Sequence, residues 1–427
     1  MKGEEYLRVR PFLKHSIINM ESKAKVPDEY SIYNYVRKWK LKNGNYTDSV
    51  LNWYNNPDIV DGPFSRITIE EPSISKRQKI IDQLLSYGWK PKLFTDKGFP
   101  KLTEKGQPVD TLEEVGDFGK ALASWYTLNH RQSQIRGFLP HVRSDSRIAA
   151  QCNPCGTNTF RAKHKVVANI PRPTSTFGKE MRSLFGVGEG RVFVGADLSG
   201  LELRVLAHHM KNEEYIHQIL DGDIHLYNLH LTGTYISPEQ VNPPFTKADK
   251  DRLAAYRDIA KTFIYMFIYG GGDEKAGKII GKKTKDGKLL KAKFFESLPS
   301  LKNLSDKVRA FAEKRGWLPS IDGRKIYIRS FEGKLLLHTA LNALLQADGS
   351  IIAKRAMVIA DEEIRRRGLD AKQIIYYHDE FAYDTLPELG EEVGEILIDS
   401  MRLAGEYYNL NIPIAGEYKI GKSWAVH

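Results

Sequence analysis

Two stretches decide the fold of this chain: Arg191-Val-Phe-Val-Gly-Ala-Asp197 and Ile374-Ile-Tyr-Tyr-His-Asp379-Glu-Phe-Ala-Tyr383. The first is a short apolar strand that ends in a carboxylate and gives way to the amphipathic segment 198–204. The second is apolar on both sides of a charged centre, which predicts a β-hairpin with carboxylates at its tip. Carboxylates at two strand ends are suited to binding a pair of hard metal ions.

A helical stripe lies between these stretches, in Arg257-Asp-Ile-Ala-Lys261-Thr-Phe-Ile-Tyr265-Met-Phe-Ile-Tyr269-Gly270. Side chains that recur every four residues project along one face of a helix, and the following glycines predict its end. Two cations followed by aromatic rings suit a nucleoside triphosphate, because the cations meet the phosphates and a ring packs on the sugar or base. An exposed basic helix face is the alternative for the cations, and core packing is the alternative for the tyrosines.

The bulk properties agree with a polyanionic partner without identifying it. The 427 residues carry a formal net charge of +11, and two or three domains are expected from the length. No apolar run approaches the roughly 20 residues that span a bilayer, and the start Met1-Lys-Gly-Glu-Glu5 lacks a secretory core. With only Cys152 and Cys155, we expect no disulfide framework and a cytoplasmic location, the host cytoplasm if the protein is viral. This Cys-x-x-Cys pair could be half a zinc site or a redox centre, but we favour the interpretation that the two cysteines have no such role.

Three motifs resemble motifs A, B and C of the family A DNA polymerases, in the family's order and with similar separations. They are Asp197-Leu-Ser-Gly-Leu-Glu202-Leu-Arg204, Arg257-x3-Lys261-x3-Tyr265-x3-Tyr269-Gly270 and His378-Asp379-Glu380. Further matches are Arg161 with Asn169-Ile-Pro171, Asp223-Ile-His225, Asp322-Gly-Arg324, Asn342-x3-Gln346 and the ending Gly421-Lys-Ser-Trp424. Gly62-Pro-Phe-Ser-Arg66 and Gly88-Trp-Lys-Pro91 resemble the polymerases of short-tailed bacteriophages. The resemblance extends from about residue 60 to the end.

This resemblance implies an α+β right-hand polymerase fold, with an antiparallel-sheet palm, helical fingers and a helical thumb. The expected bounds are 67–150 for the thumb, 151–210 and 336–427 for the two parts of the palm, and 211–335 for the fingers. Residues 1–66 interleave aromatic and basic side chains, which could grip single strands. A small helical segment with a solvated basic face is favoured there, and its role stays open.

The resemblance also implies the catalytic groups. Asp197, the carbonyl of Leu198 and Asp379 would bind two Mg²⁺ ions, with Glu380 beside them. Lys261 would neutralise or protonate the leaving pyrophosphate. Ordinary turn carboxylates at strand ends are the alternative, which the stripe between the two motifs disfavours.

Substrate contacts follow from the same resemblance. The expected nucleotide-binding residues are Arg257, Lys261, Tyr265, His225 and Glu202, and Glu202 would exclude a ribose 2′ hydroxyl. The expected DNA-binding residues are Arg161, Tyr269, Gly270, Asn342, Gln346 and His378. One departure is Thr159-Phe160-Arg161, where the family usually has Thr-Gly-Arg.

The expected function is template-directed DNA synthesis on primer-template DNA from deoxynucleoside triphosphates, with no membrane partner. Scarcely 60 residues precede the thumb, so we expect no 3′–5′ exonuclease domain. Proofreading would then come from a separate exonuclease or replication protein. The alternative is that the chain is a fragment of a longer protein. A single-subunit RNA polymerase is disfavoured by Glu202, and a reverse transcriptase by the lack of paired aspartates. A catalytically silent duplex-binding protein is disfavoured by the presence of both aspartates and Lys261.

Overall fold

The structure is a computed structural model that describes residues 76–426 apart from 105, together with 4–6, 41–43, 45, 48 and 64–66. Most of the predicted helical segment 1–66 therefore lies outside the described residues. Near its two ends, strands β1 (Glu4–Tyr6) and β2 (Phe64–Arg66) pair antiparallel. The chain divides into two compact units, Met1–Tyr126 and Thr127–His427.

The first unit is built on two helices that the apolar spacing predicts. Helix α1 (Arg77–Ser86) buries Ile80, Ile81 and Leu84, the residues of its apolar face. Helix α2 (Gly116–Phe138) begins in this unit and continues into the second. Between them lie the short strands β3 (Thr103–Glu104) and β4 (Gln107–Pro108) and a 3₁₀ turn, Asp110–Val115. The sequence predicts helical segments at 75–88 and 112–136, and helices α1 and α2 confirm both.

The second unit contains a four-stranded antiparallel sheet in the order β12-β13-β7-β14. Its strands are β7 (Val192–Leu198), β12 (Ala371–Tyr377), β13 (Glu380–Thr385) and β14 (Gly416–Gly421). Successive side chains of a strand point to opposite faces, so both faces of β7 are covered by core clusters. The predicted strand and hairpin are confirmed, and β7 lies directly beside the hairpin.

Helices surround this sheet and continue away from it along the chain. They are α3 (Gly178–Ser183), α4 (Leu201–Met210), α5 (Glu213–Leu220), α6 (Ile224–Leu231), α7 (Lys247–Arg252), α8 (Ala254–Ile268), α9 (Asp273–Ile279), α10 (Thr284–Ser297), α11 (Pro299–Arg315), α12 (Ala340–Arg367) and α13 (Gly390–Tyr407). Helix α13 packs against β7, β14 and α12, and α8 packs against α6. The α+β class is confirmed.

Three small hairpins complete the second unit: β5 (Gln151–Asn153) with β6 (Lys163–Lys165), β8 (Trp317–Pro319) with β9 (Lys325–Tyr327), and β10 (Ser330–Phe331) with β11 (Lys334–Leu335). The segment 211–335, predicted as helical fingers, therefore ends in two hairpins. The division at residue 126 falls inside the predicted thumb, and the predicted domain bounds stay predictions. Among the helices of the described residues, none is both long and apolar enough to cross a membrane.

Candidate functional site

Strand register brings four acidic residues together at one end of the strands, and we call this end of the sheet the carboxylate edge. Its members are Asp197, Asp379, Glu380 and Glu417. Asp197 of β7 lies directly opposite Glu380 of β13 on one side and Glu417 of β14 on the other. Directly opposed residues in an antiparallel pair have Cβ atoms about 4.5–5.5 Å apart. Asp379 lies in the two-residue turn between β12 and β13, and its carbonyl accepts the backbone N–H of Leu198 at 3.2 Å. The turn carboxylate is thereby tied to the end of β7.

This crowding changes the acidity of Asp197. Burial raises its pKa to about 7, and the negative charges of Asp379, Glu380 and Glu417 add to the effect. Carboxylates held close together repel one another, and a bound cation stabilises their charged forms. Within the part of the chain that the structure describes, no cluster of three or more His, Cys, Asp or Glu side chains has metal-binding geometry. Two hard carboxylates, those of Asp197 and Asp379, suit Mg²⁺ chemically, because that ion keeps several waters and substrate oxygens and needs few protein ligands.

Glu380 differs from the two aspartates because it has partners of its own. The residue is 6% exposed, and its carboxylate accepts one hydrogen bond from Arg182 at 3.3 Å and another from the Trp424 indole N–H. The Arg182 guanidinium also lies 4.4 Å from the centre of the Trp424 ring. Burial raises the pKa of Glu380, and Arg182 opposes that shift. Sequence reasoning did not identify Arg182, since nothing local marks a partner 198 residues away.

Glu202 forms a polar triangle with Arg161 and Tyr269, in which its carboxylate is the shared acceptor. On the first turn of α4, it accepts a hydrogen bond from Arg161 at 2.9 Å and another from the Tyr269 hydroxyl at 2.8 Å. Burial raises its pKa, against which both partners act. One pocket brings together five of the predicted site residues, namely Arg161, Glu202, Gln346, His378 and Asp379.

The backbone before Arg161 explains the departure at Phe160. Phe160 has φ +56°, a left-handed conformation that favours glycine. The Arg324 guanidinium lies 4.5 Å from the centre of its ring, and the Phe160 carbonyl accepts hydrogen bonds from Ser350 at 2.9 Å and Lys354 at 2.6 Å. These contacts compensate a conformational cost of roughly 1 kcal/mol at a non-glycine residue.

The predicted stripe lies along α8. Lys261 is exposed, Tyr265 is half-buried, and the opposite face buries Ala260, Phe263 and Ile264 in the core. Burial raises the pKa of the Tyr265 hydroxyl, and the charges of Glu202 and Asp379 raise it further. The aromatic end of the stripe is therefore close enough to the carboxylates to feel their charge.

The helix ends where the sequence predicted. Tyr269 follows the last residue of α8, and Gly270 has φ +71°. A Cβ atom at position 270 would lie 2.4 Å from the carbonyl oxygen of His338, so only glycine fits.

His225 faces the cationic side of α8. Burial lowers its pKa to about 4, and the positive charges of Arg257 and Lys261 add to this shift. Its Nδ1 atom is buried, with no hydrogen-bond partner among the described residues. Asn342, on the first turn of α12, likewise has a buried side-chain oxygen without a partner there.

Arg257 is paired within the chain. Its Nε donates to both carboxylate oxygens of Asp223, at 3.0 and 3.1 Å. Asp223 was visible in the sequence only as part of Asp223-Ile-His225, and its pairing with a residue 34 positions later had no local signal.

The family model for DNA polymerase family A matches residues 86–426. The DNA-directed DNA polymerases of Enterobacteria phage T3 and Escherichia phage T7 are each 33% identical, over 410 and 412 residues; both matches cover 86% of this chain and 54% of the relative. The chain therefore spans about half the length of these curated relatives.

More distant relatives include the DNA polymerase I of Pseudomonas aeruginosa, 26% identical over 360 residues, covering 78% of this chain and 37% of that protein. A solved structure described as the POL domain of Pol1 from M. smegmatis, in complex with DNA primer-template and dNTP, matches with a TM-score of 0.68 and 22% identity. That match covers 84% of this chain and 62% of the other. At this identity the likeness supports the fold.

Proposed function

The chain belongs to DNA polymerase family A, and on that premise we propose that it adds deoxynucleotides to the 3′ end of a primer under the direction of a template strand. The observation that carries the proposal is the pocket where Asp379, Glu202 and Arg161 meet, with the aromatic end of the α8 stripe close to its carboxylates. The phage relatives are named DNA-directed DNA polymerases, and the structural neighbour is described in complex with primer-template DNA and dNTP. Both descriptions support the proposed substrates.

Asp197, Asp379 and the carbonyl of Leu198 would hold two Mg²⁺ ions. When bound, the two ions would activate the primer hydroxyl and neutralise charge on the phosphoryl oxygens. The raised pKa of Asp197 supports this assignment, because crowded carboxylates are stabilised by cations. Glu380 would hold this edge in place through Arg182 and Trp424.

Arg257 and Lys261 would bind the triphosphate of the incoming nucleotide. Lys261 is exposed on the same helix face, where an ammonium group can neutralise the leaving pyrophosphate or give it a proton. His225, whose pKa burial lowers to about 4, would contact the same phosphates as a neutral imidazole. The proposed division of labour is therefore carboxylates for the metal ions and α8 for the triphosphate.

Glu202 would select the sugar. It is buried and fixed by Arg161 and Tyr269, so it can exclude a 2′ hydroxyl without moving. Tyr265 would pack on the sugar or base, and Tyr269 with Gly270 would line the templating-base site.

The remaining DNA contacts would come from Arg161, Asn342, Gln346 and His378. Minor-groove acceptors occur at equivalent places in every correct base pair, so donors there sense the geometry of a pair without reading its sequence. A mismatch displaces those acceptors.

The test is primer extension on a primed template with Mg²⁺ and either deoxynucleotides or ribonucleotides, with Asp379→Ala as the control. Extension by deoxynucleotides, lost in the variant, is the expected result. Preferential ribonucleotide use would replace the proposal with RNA synthesis. Absence of extension with retained duplex binding would replace it with a DNA-binding role.

A further inference from the structure

Asp223 is a buried carboxylate that joins two helices. It is 7% exposed, and its Oδ1 atom accepts the backbone N–H groups of His225 and Leu226, both at 3.0 Å. It therefore caps the N-terminus of α6. The same carboxylate accepts the Nε–H of Arg257, which is on α8, and lies 3.7 Å from the ammonium group of Lys250. One carboxylate thus links the helix that carries His225 to the helix that carries Lys261.

The contact uses only one part of the Arg257 guanidinium. Nε donates to Asp223, and among the described residues neither terminal nitrogen has a hydrogen-bond partner. The Arg257 side chain is 32% exposed. Its two terminal nitrogens therefore form a rigid, accessible fork, which is the group that matches phosphate oxygens in two parallel hydrogen bonds.

The negative charge of Asp223 does not cancel this arrangement. Burial alone would raise the pKa of Asp223, but the N–H of Leu226 and the Arg257 guanidinium hold that pKa below its ordinary value. Arg257, Lys250 and Lys261 carry three positive charges, and Asp223 and Asp258 carry two negative ones. The region therefore keeps a net positive charge for a polyanion. A free arginine side chain would lose rotamer entropy on binding phosphate, whereas one already fixed by a carboxylate loses less.

We propose that Asp223 is a positioning residue for the incoming nucleotide, because it fixes Arg257 so that the free end of its guanidinium meets the triphosphate. The inference rests on the proposed function and deepens it. It assigns to Asp223 a task that differs from its capping role.

Asp223→Asn separates the two tasks. Asparagine caps helices as well as aspartate does, so the hydrogen bonds to the backbone of α6 are retained while the charged contact with Arg257 is lost. In single-nucleotide incorporation with saturating primer-template, the KM for the complementary deoxynucleotide rises about tenfold and kcat changes less than about threefold, since the lost interaction affects nucleotide binding.

Arg257→Lys tests the same idea without touching the cap. Lysine keeps the positive charge but cannot hold Asp223 through one nitrogen and present two others, so the KM rises although the charge is unchanged. Asn212→Ala is the matched control, because Asn212 caps α5 by accepting the N–H of Tyr215 at 2.8 Å. This control lowers the thermal midpoint and leaves the KM for the nucleotide at its original value.

A double variant tests whether Asp223 acts through Arg257. In the Arg257→Ala background, adding Asp223→Asn leaves the KM where Arg257→Ala alone puts it. An unchanged KM in Asp223→Asn, or a full further increase in the double variant, overturns the inference while polymerisation by the wild type still stands. Failure of the wild type to extend a primer overturns the proposed function itself.

Discussion

At the end of β7 and at the tip of the β12–β13 hairpin, carboxylates act on one another, whereas on α8 the Arg257 guanidinium has a buried carboxylate, Asp223, as its partner. Asp197 feels the charges of Asp379, Glu380 and Glu417 and has a raised pKa. Asp223 has a lowered pKa because it is hydrogen-bonded and paired with Arg257. The first region concentrates negative charge, whereas in the second the buried carboxylate is paired and the cations around it leave a net positive charge. In the proposed mechanism, the same residue type would therefore prepare one region for metal ions and the other for a substrate anion.

Asp379→Asn should have the largest effect. It removes a charge from the carboxylate edge that no side chain replaces, so we expect kcat for nucleotide addition to fall roughly 10³-fold or more, while the duplex is still bound. Glu417→Gln is the control, because Glu417 lies opposite Asp197 on β14 but is exposed and outside the proposed donor set. Single-turnover incorporation measures both. Equal losses in the two variants would mean that only the total charge of this edge matters.

Lys261→Ala tests the cationic region and should have the next largest effect. Removing a group that neutralises the leaving pyrophosphate should slow incorporation roughly 10²-fold. Lys278→Ala is the control, an exposed lysine on α9 that pairs with Glu274. The same single-turnover assay decides; a rate within threefold of wild type for Lys261→Ala would remove this residue from the chemistry.

Glu202→Ala tests the triangle that borders both regions. Without the carboxylate, a 2′ hydroxyl meets less resistance, and Arg161 and Tyr269 lose their acceptor. We expect ribonucleotide incorporation relative to deoxynucleotide incorporation to rise roughly 10- to 100-fold. Competition between the two nucleotides in one reaction measures the ratio. An unchanged ratio would assign sugar selection to other residues.

The pH dependence of stability gives the smallest predicted effect. His225 has a folded pKa of about 4, below the ordinary value of about 6.5, so the unfolded chain binds more protons between these values. The free energy of unfolding is therefore unaffected by His225 above pH 6.5, and it falls as the pH drops from 6.5 towards 4. From pH 7 to pH 6 the loss should be about 0.5–1 kcal/mol. His225→Gln should remove this part of the slope in urea unfolding; identical slopes would show that His225 is protonated freely in the fold.

The carboxylate edge was largely predictable from the sequence. Alternation of apolar residues indicates the strand that ends at Asp197 and the hairpin around Asp379, and helical spacing indicates the stripe on α8. A long helix around Ala340 to Arg367 is also predicted from the sequence, and α12 has these bounds. Each of these features depends on residues close together in the chain.

Contacts between distant residues were not predictable in this way. The partner of Arg257 is 34 positions earlier, and the partner of Glu380 is 198 positions earlier. Phe160 occupies a left-handed position because Arg324, Ser350 and Lys354 hold it there, and none of them lies nearby in sequence. Tertiary packing overrides the local preference for glycine at that place.

The most direct test of the account is single-nucleotide addition on four primed templates that differ only in the templating base, with each deoxynucleotide supplied alone. We expect the wild type to add the complementary nucleotide on every template, and Asp379→Asn to add none at a comparable rate. Addition that ignores the templating base, or addition that survives in Asp379→Asn, would contradict it.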